Sequence, residues 1–136
     1  MNRIILLSDL AREMSHLEKN RIPLILLLSR SDCHFCHEVR NNYLLPLVRT
    51  ISEQKLLIRE FVSDRSPTLI GADGAQISVA GLLKILQVNF FPTVVFLGSG
   101  MRVLADALVG LDRAGFYSAY LDQRIASAIK EAQRIK

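Results

Sequence analysis

The run Ile22-Pro23-Leu24-Ile25-Leu26-Leu27-Leu28 limits what this chain can fold into more than any other stretch. Its apolar residues do not alternate with polar ones, so it is expected as a central strand covered on both faces, and it is too short to span a bilayer. Ser29 to Asp32 end the run as a polar loop, and Cys33-His34-Phe35-Cys36 stands where a helical pattern begins. In that pattern Val39, Tyr43, Leu44 and Leu47 share an apolar face, and Pro46 should kink or interrupt the helix.

The other elements fit the same plan. Leu6 to Asn20 is expected as an amphipathic helix with Leu7, Leu10, Met14 and Leu17 inward and His16 toward solvent. Leu56 to Val62 reads as a second strand. Turn signals at Asp64-Arg65-Ser66-Pro67 and Ala72-Asp73-Gly74 flank a short Thr68-Leu69-Ile70 segment, and Ser78 can cap a helix reaching about Leu86. Phe90 to Leu97 is strand-like with Pro92 near its start, Gly98-Ser99-Gly100 is a hairpin turn, and Met101 to Val109 returns. Asp112 can cap a last helix in which Leu121, Ile125 and Ile129 recur. No linker or repeat divides the chain, so one α/β domain over residues 1–136 is expected.

Composition narrows the classes of function. The net charge of +4 comes from scattered lysines and arginines, of which Lys130, Arg134 and Lys136 would complement a C-terminal helix dipole. No basic stripe with interleaved aromatics points to nucleic acid. The apolar residues after Arg3 stop at Ser8-Asp9, too soon for an export signal, so no targeting segment is expected in this chain.

Two cysteines with two residues between them cannot staple a small fold and instead mark a local redox or metal site. At a helix start, backbone N–H groups and the helix dipole stabilise a thiolate at Cys33, lowering its pKa and making it the attacking sulfur, while Cys36 turns inward as the resolving thiol. The expected chemistry is attack on a substrate disulfide, a mixed disulfide, and its displacement by Cys36. His34 and His37 would favour the thiolate if protonated and tilt the couple toward oxidation; the alternative is that both are exposed polar residues of the first turn.

Three rivals stand beside this reading. Cys33-x-x-Cys36-His37 matches a c-type haem attachment pattern with His37 as axial ligand, although such proteins are mostly helical. A metal site drawing on Cys33, Cys36, His34 or His37 lacks a second ligand cluster, so none is expected. A binding module could keep the fold without turnover.

The strand Leu24 to Leu28 before Cys33-His34-Phe35-Cys36, then Phe91-Pro92-Thr93-Val94-Val95-Phe96, Gly100 and Gly110, resembles the thioredoxin-fold oxidoreductases. The likeness is to small bacterial thioredoxin-like proteins, often periplasmic, with the pattern Cys-x-x-Cys-x-x-Val-Arg followed by Leu45-Pro46-Leu47. It implies a central mixed sheet of four to five strands flanked by helices, with an insert before the proline strand. It also implies a cis Phe91–Pro92 bond near Cys33, with the preceding backbone pairing to an extended substrate and Phe91 and Phe35 as apolar surface. A thiol- or disulfide-containing protein substrate and a redox partner are implied, with no cofactor beyond the Cys33–Cys36 disulfide, a monomeric state, and a periplasmic or else cytoplasmic setting.

The chain departs from thioredoxin in its His34-Phe35 dipeptide and in Leu27, which stands where thioredoxin buries an Asp. Glu60 shares a strand face with Ile58 and Val62 and is expected at a strand-end surface. The alternative is a buried carboxylate under the active-site helix that relays a proton to Cys36.

Overall fold

The computed structural model describes residues 3–65, 67–112 and 114–134. Ser66 of the expected turn and Lys136 of the expected basic helix end lie outside them. Leu24 to Leu28 are fully buried within strand β2 (Leu24–Ser29). Their side chains alternate between two cores. Ile25 and Leu27 face one with Ile58, Val94 and Phe96; Leu24, Leu26 and Leu28 face the other with Leu57, Phe61 and Val95.

Strand β1 (Ile5–Leu6) pairs in parallel with β3 (Leu57–Val62), and β3 in parallel with β2. On the other side of β2, β6 (Thr93–Gly98) and β7 (Arg102–Val109) continue antiparallel, giving the order β1-β3-β2-β6-β7. This is the expected mixed sheet. Helix α1 (Leu10–Asn20) and α4 (Val79–Leu86) bury Leu10, Met14, Leu17 and Leu82 on one face, and α5 (Tyr117–Arg134) covers the other with Leu121, Ile125 and Ala128.

The N-terminal helix begins later than expected. Ile5 and Leu6 are taken up by pairing with Arg59 and Glu60, and Asp9 then caps α1 by accepting the Arg12 N–H at 3.0 Å. Leu7 is buried but precedes the helix. In the insert, Thr68–Ile70 (β4) pairs with Gln76–Ser78 (β5), a strand too short to show alternation. The Ser78 hydroxyl caps α4 as expected, accepting the Gly81 N–H at 3.0 Å.

Three further boundaries shift for local reasons. Strand β6 starts at Thr93, after the cis Phe91–Pro92 bond, and not at Phe90. Gly100 and Met101 both take positive φ in the hairpin turn, so β7 starts at Arg102. Asp112 accepts the N–H groups of Ala114 at 2.8 Å and Phe116 at 3.1 Å, which shapes the approach to α5 rather than capping a helix that begins at Tyr117. Strand β7 forms one sheet edge; its register slips against β6, and Arg124 Nε donates to its Asp106 carbonyl at 3.0 Å.

The segment after the cysteines is helical but not one α-helix. Helix α2 (His34–Glu38) runs into a π-helical stretch, Val39–Leu44, and then α3 (Leu45–Thr50), which has Pro46 in its first turn. The Leu45 N–H reaches back to the Arg40 carbonyl, one residue further than in an α-helix. The wide turn lies where Pro46 lacks an N–H and its ring would crowd the preceding turn. Tyr43 in this stretch packs on Tyr117 of α5, ring centroids 4.8 Å apart. The Tyr117 hydroxyl is buried without a hydrogen-bond partner among the described residues, and burial pushes its pKa up.

Because Leu27 is fully buried between β3 and β6, Leu27→Ala should leave a cavity and cost about 2–5 kcal/mol of unfolding free energy, read as a lower urea midpoint with unchanged slope. Asp9→Ala should cost about 1 kcal/mol, the loss of one helix cap.

Candidate active site

Strand β2 ends at Ser29 and the chain turns through residues 30–32 to Cys33, the N-cap of α2. Cys33 and Cys36 are joined by a disulfide, their Cα atoms 5.2 Å apart. Cys33 is half-buried and Cys36 fully buried, so the two sulfurs sit in unlike surroundings as the helix start requires. The Cys36 N–H points at Cys33 Sγ at 3.1 Å. A donor already aimed at that sulfur would stabilise negative charge there once the disulfide opens.

Two straps hold the approach loop. The Ser29 carbonyl accepts the N–H and hydroxyl of Ser63 at 2.8 and 2.9 Å. The Asp64 carboxylate accepts the Ser31 N–H at 2.9 Å and also the Ser31 hydroxyl. These bonds from Ser31 hold the Asp64 carboxyl below its ordinary pKa.

Glu60 overturns the expectation of a strand-end surface residue. It is only 3% exposed, because the face that carries Ile58 inward carries Glu60 inward as well, toward the helix after the cysteines. Arg40, in the π-helical stretch, meets it with a fork: Nε donates to Oε1 at 2.7 Å and Nη2 to Oε2 at 2.5 Å. The Ser29 hydroxyl also donates to Oε2. Hydrogen bonding to Glu60 holds the Arg40 pKa above its ordinary value, against the opposing effect of burial. Removing one member of such a pair leaves a buried charge uncompensated, at about 3–5 kcal/mol.

The histidines are exposed, yet both are engaged. His34 Nε2 lies 3.1 Å from Glu38 Oε1 one turn on. His37 Nδ1 accepts from Arg40 Nη1 at 2.7 Å, and its Nε2–H donates to the Ser31 carbonyl at 3.2 Å, the pattern of a neutral imidazole. A carboxylate thus stands beside one imidazole and a guanidinium beside the other.

The sheet brings Pro92 to the same end as Cys33. Thr93, the first residue of β6, pairs with Leu28 at the end of β2, and the buried Pro92 accepts the Gly110 N–H at 2.7 Å. Phe91 turns its ring against the core beneath α1 and α4, whereas its neighbour Phe90 is 68% exposed. Phe35 is partly open to solvent, edge-on to the His34 ring at 5.7 Å. Among the described residues no three His, Cys, Asp or Glu side chains are grouped to hold a metal ion.

Arg40, Ser29, Ser31 and Asp64 were not singled out as site residues from the sequence. Alternation along β2 and β3 was the available signal, since it places Ser29 on the face of Ile25 and Leu27 and Glu60 on that of Ile58.

No family model and no curated protein matches the chain. Solved structures do. A thioredoxin from Malassezia sympodialis superposes with a TM-score of 0.65 at 13% identity, covering 95% of this chain and 93% of that one. A poplar thioredoxin h variant gives 0.65 at 15% identity over 95% and 84%. Oxidised mitochondrial thioredoxin 3 from Saccharomyces cerevisiae gives 0.60 at 17% identity over 90% and 93%. The chain has the thioredoxin fold. Its Cys33–Cys36 disulfide lies at the end of the central strand, where the sheet also presents the cis proline.

A folded-state pKa held down means that the Asp64 strap contributes stability above the ordinary carboxylate range and loses it as pH falls through the lowered value. A carbon NMR titration should therefore place the Asp64 midpoint below that of an ordinary aspartate, near 3.9, and Ser31→Ala should move it back up.

Proposed function

We propose that this protein is a thiol-disulfide oxidoreductase, exchanging disulfides with protein or small-thiol substrates through Cys33 and Cys36. The observation that carries the reading is the disulfide itself, set at the start of α2 with the Cys36 N–H aimed at the half-buried Cys33 sulfur. In the reduced protein the Cys33 thiolate attacks one sulfur of a substrate disulfide; an S–S bond forms, the substrate S–S bond breaks, and the expelled thiolate takes up a proton. Cys36 then loses its proton and attacks Cys33 Sγ. The second substrate thiolate leaves, the substrate has gained two electrons and two protons, and the protein is oxidised. The reverse sequence oxidises a dithiol substrate.

The backbone before Pro92 would pair with an extended segment of a polypeptide substrate, as the resemblance to thioredoxin-fold oxidoreductases implies, and the partly open Phe35 beside Cys36 supplies apolar surface. Glu60 is paired on both oxygens, which favours a structural carboxylate over the proton relay to Cys36. Both His37 nitrogens are engaged and the sulfurs are bonded to each other, which favours a redox disulfide over thioether attachment of haem. Among the described residues no helix is long and apolar enough to cross a membrane. The periplasmic setting rests on the resemblance to bacterial thioredoxin-like proteins.

Purified protein should reduce a mixed glutathione–peptide disulfide at catalytic rates and show no Soret absorption. Cys33→Ser should abolish turnover, and Cys36→Ser should accumulate a mixed disulfide on Cys33 visible by mass. Cys33 alkylation should follow a pKa below the ~8.5 of a free thiol; a value at or above that figure, or full turnover without Cys33, would sink the reading.

A further inference from the structure

Among the described residues, Arg40 is the one guanidinium bonded to both the buried Glu60 of the sheet and His37 of the cysteine helix. Two of its nitrogens are committed to Glu60, which is itself held by Ser29 at the end of β2. The third, Nη1, is thereby fixed in direction and meets His37 Nδ1. An acceptor at Nδ1 leaves the proton on Nε2, and Nε2–H reaches the Ser31 carbonyl. Ser31 belongs to the loop that delivers Cys33, and its other polar groups are held by Asp64. The bonds thus form a closed ring, Ser29–Glu60–Arg40–His37–Ser31, that spans the cysteine pair from both sides in sequence.

We propose that Arg40, acting through the His37 imidazole, is a positioning residue for disulfide exchange: it clamps the loop before Cys33 to the helical turn that carries both sulfurs. This rests on the reading of the cysteine pair as catalytic. The π-helical stretch belongs to the device, since Arg40 lies within it and the extra residue per turn alters which side chains face the sheet. The fork geometry also matters, because a lysine offers a point charge and cannot bond Glu60 through two nitrogens while holding His37 with a third. A rigid ring keeps the Cys33 sulfur in the same place when the disulfide opens, so that Cys36 can strike it once the mixed disulfide forms.

The clamp makes a demand on His37 that an acid–base role does not: one donor and one acceptor at the right separation, with no need to titrate. Glutamine meets the demand and leucine does not. The test uses the full chain carrying His37→Gln or His37→Leu, a position exposed enough that neither change endangers folding, and a double replacement Arg40→Met/Glu60→Leu that removes the buried charges together. Resolution of a preformed Cys33–glutathione mixed disulfide, followed by stopped flow, should slow at least tenfold in His37→Leu and in the double variant, and remain within about threefold of the parent in His37→Gln. Nitrogen NMR of the imidazole side chain should show one neutral Nε2–H tautomer in the parent and a tautomer mixture in the double variant.

Equal impairment of His37→Gln and His37→Leu would overturn the clamp in favour of proton transfer by the imidazole. Parental rates in His37→Leu, or a single Nε2–H tautomer that survives loss of Arg40, would overturn it outright. If the parent itself exchanges no disulfides, the proposed activity fails instead, and the tautomer measurement still reports on the ring.

Discussion

Burial of β2 on both faces is the constraint from which the other features follow. Leu24 to Leu28 are each fully buried, and they can be so only if the strand is paired on both edges and covered above and below. That requirement brings β3 and β6 alongside and recruits α1 and α4 to one face and α5 to the other. It also fixes where the strand must stop. Ser29 is the first polar residue after the run, and the loop it opens leaves the sheet at the end where Thr93 and Pro92 arrive.

The same strand explains which parts of the fold were legible in the sequence. An apolar run and a cysteine pair at a helix start carry strong local signals, so the central strand and the place of the redox pair could be read directly, and the mixed sheet followed from the resemblance that these segments and Phe-Pro-Thr carry. Short elements could not. Ile5–Leu6 is a strand solely because Arg59 and Glu60 lie beside it, and β5 exists because β4 folds back to meet it. Both are set by partners distant in sequence, where neither propensity nor period has anything to count.

Glu60 is the instructive miss. A charged residue near a strand end is ordinarily solvated, and that prior outweighed the alternation that pointed inward. What local pattern could not supply was Arg40, twenty residues earlier and in a π-helical stretch, whose fork makes burial of the carboxylate tolerable. Buried ion pairs add little net stability over apolar residues of the same shape, yet they penalise every arrangement in which the partners fail to meet. Here that selectivity bears on the segment after Cys36, where an irregular helix could otherwise settle in more than one rotation.

The two sheet edges have a consequence for how the protein behaves in a crowded solution. An open sheet offers unpaired backbone at each side, and long flat edges let identical chains add strands to one another. One edge here is β1, only two residues long. At the other, the register slip in β7 twists the ladder and Arg124 occupies the Asp106 carbonyl. Neither edge is thus the long, flat ladder on which identical chains most readily add strands, so the sheet carries its own guard against edge-to-edge aggregation.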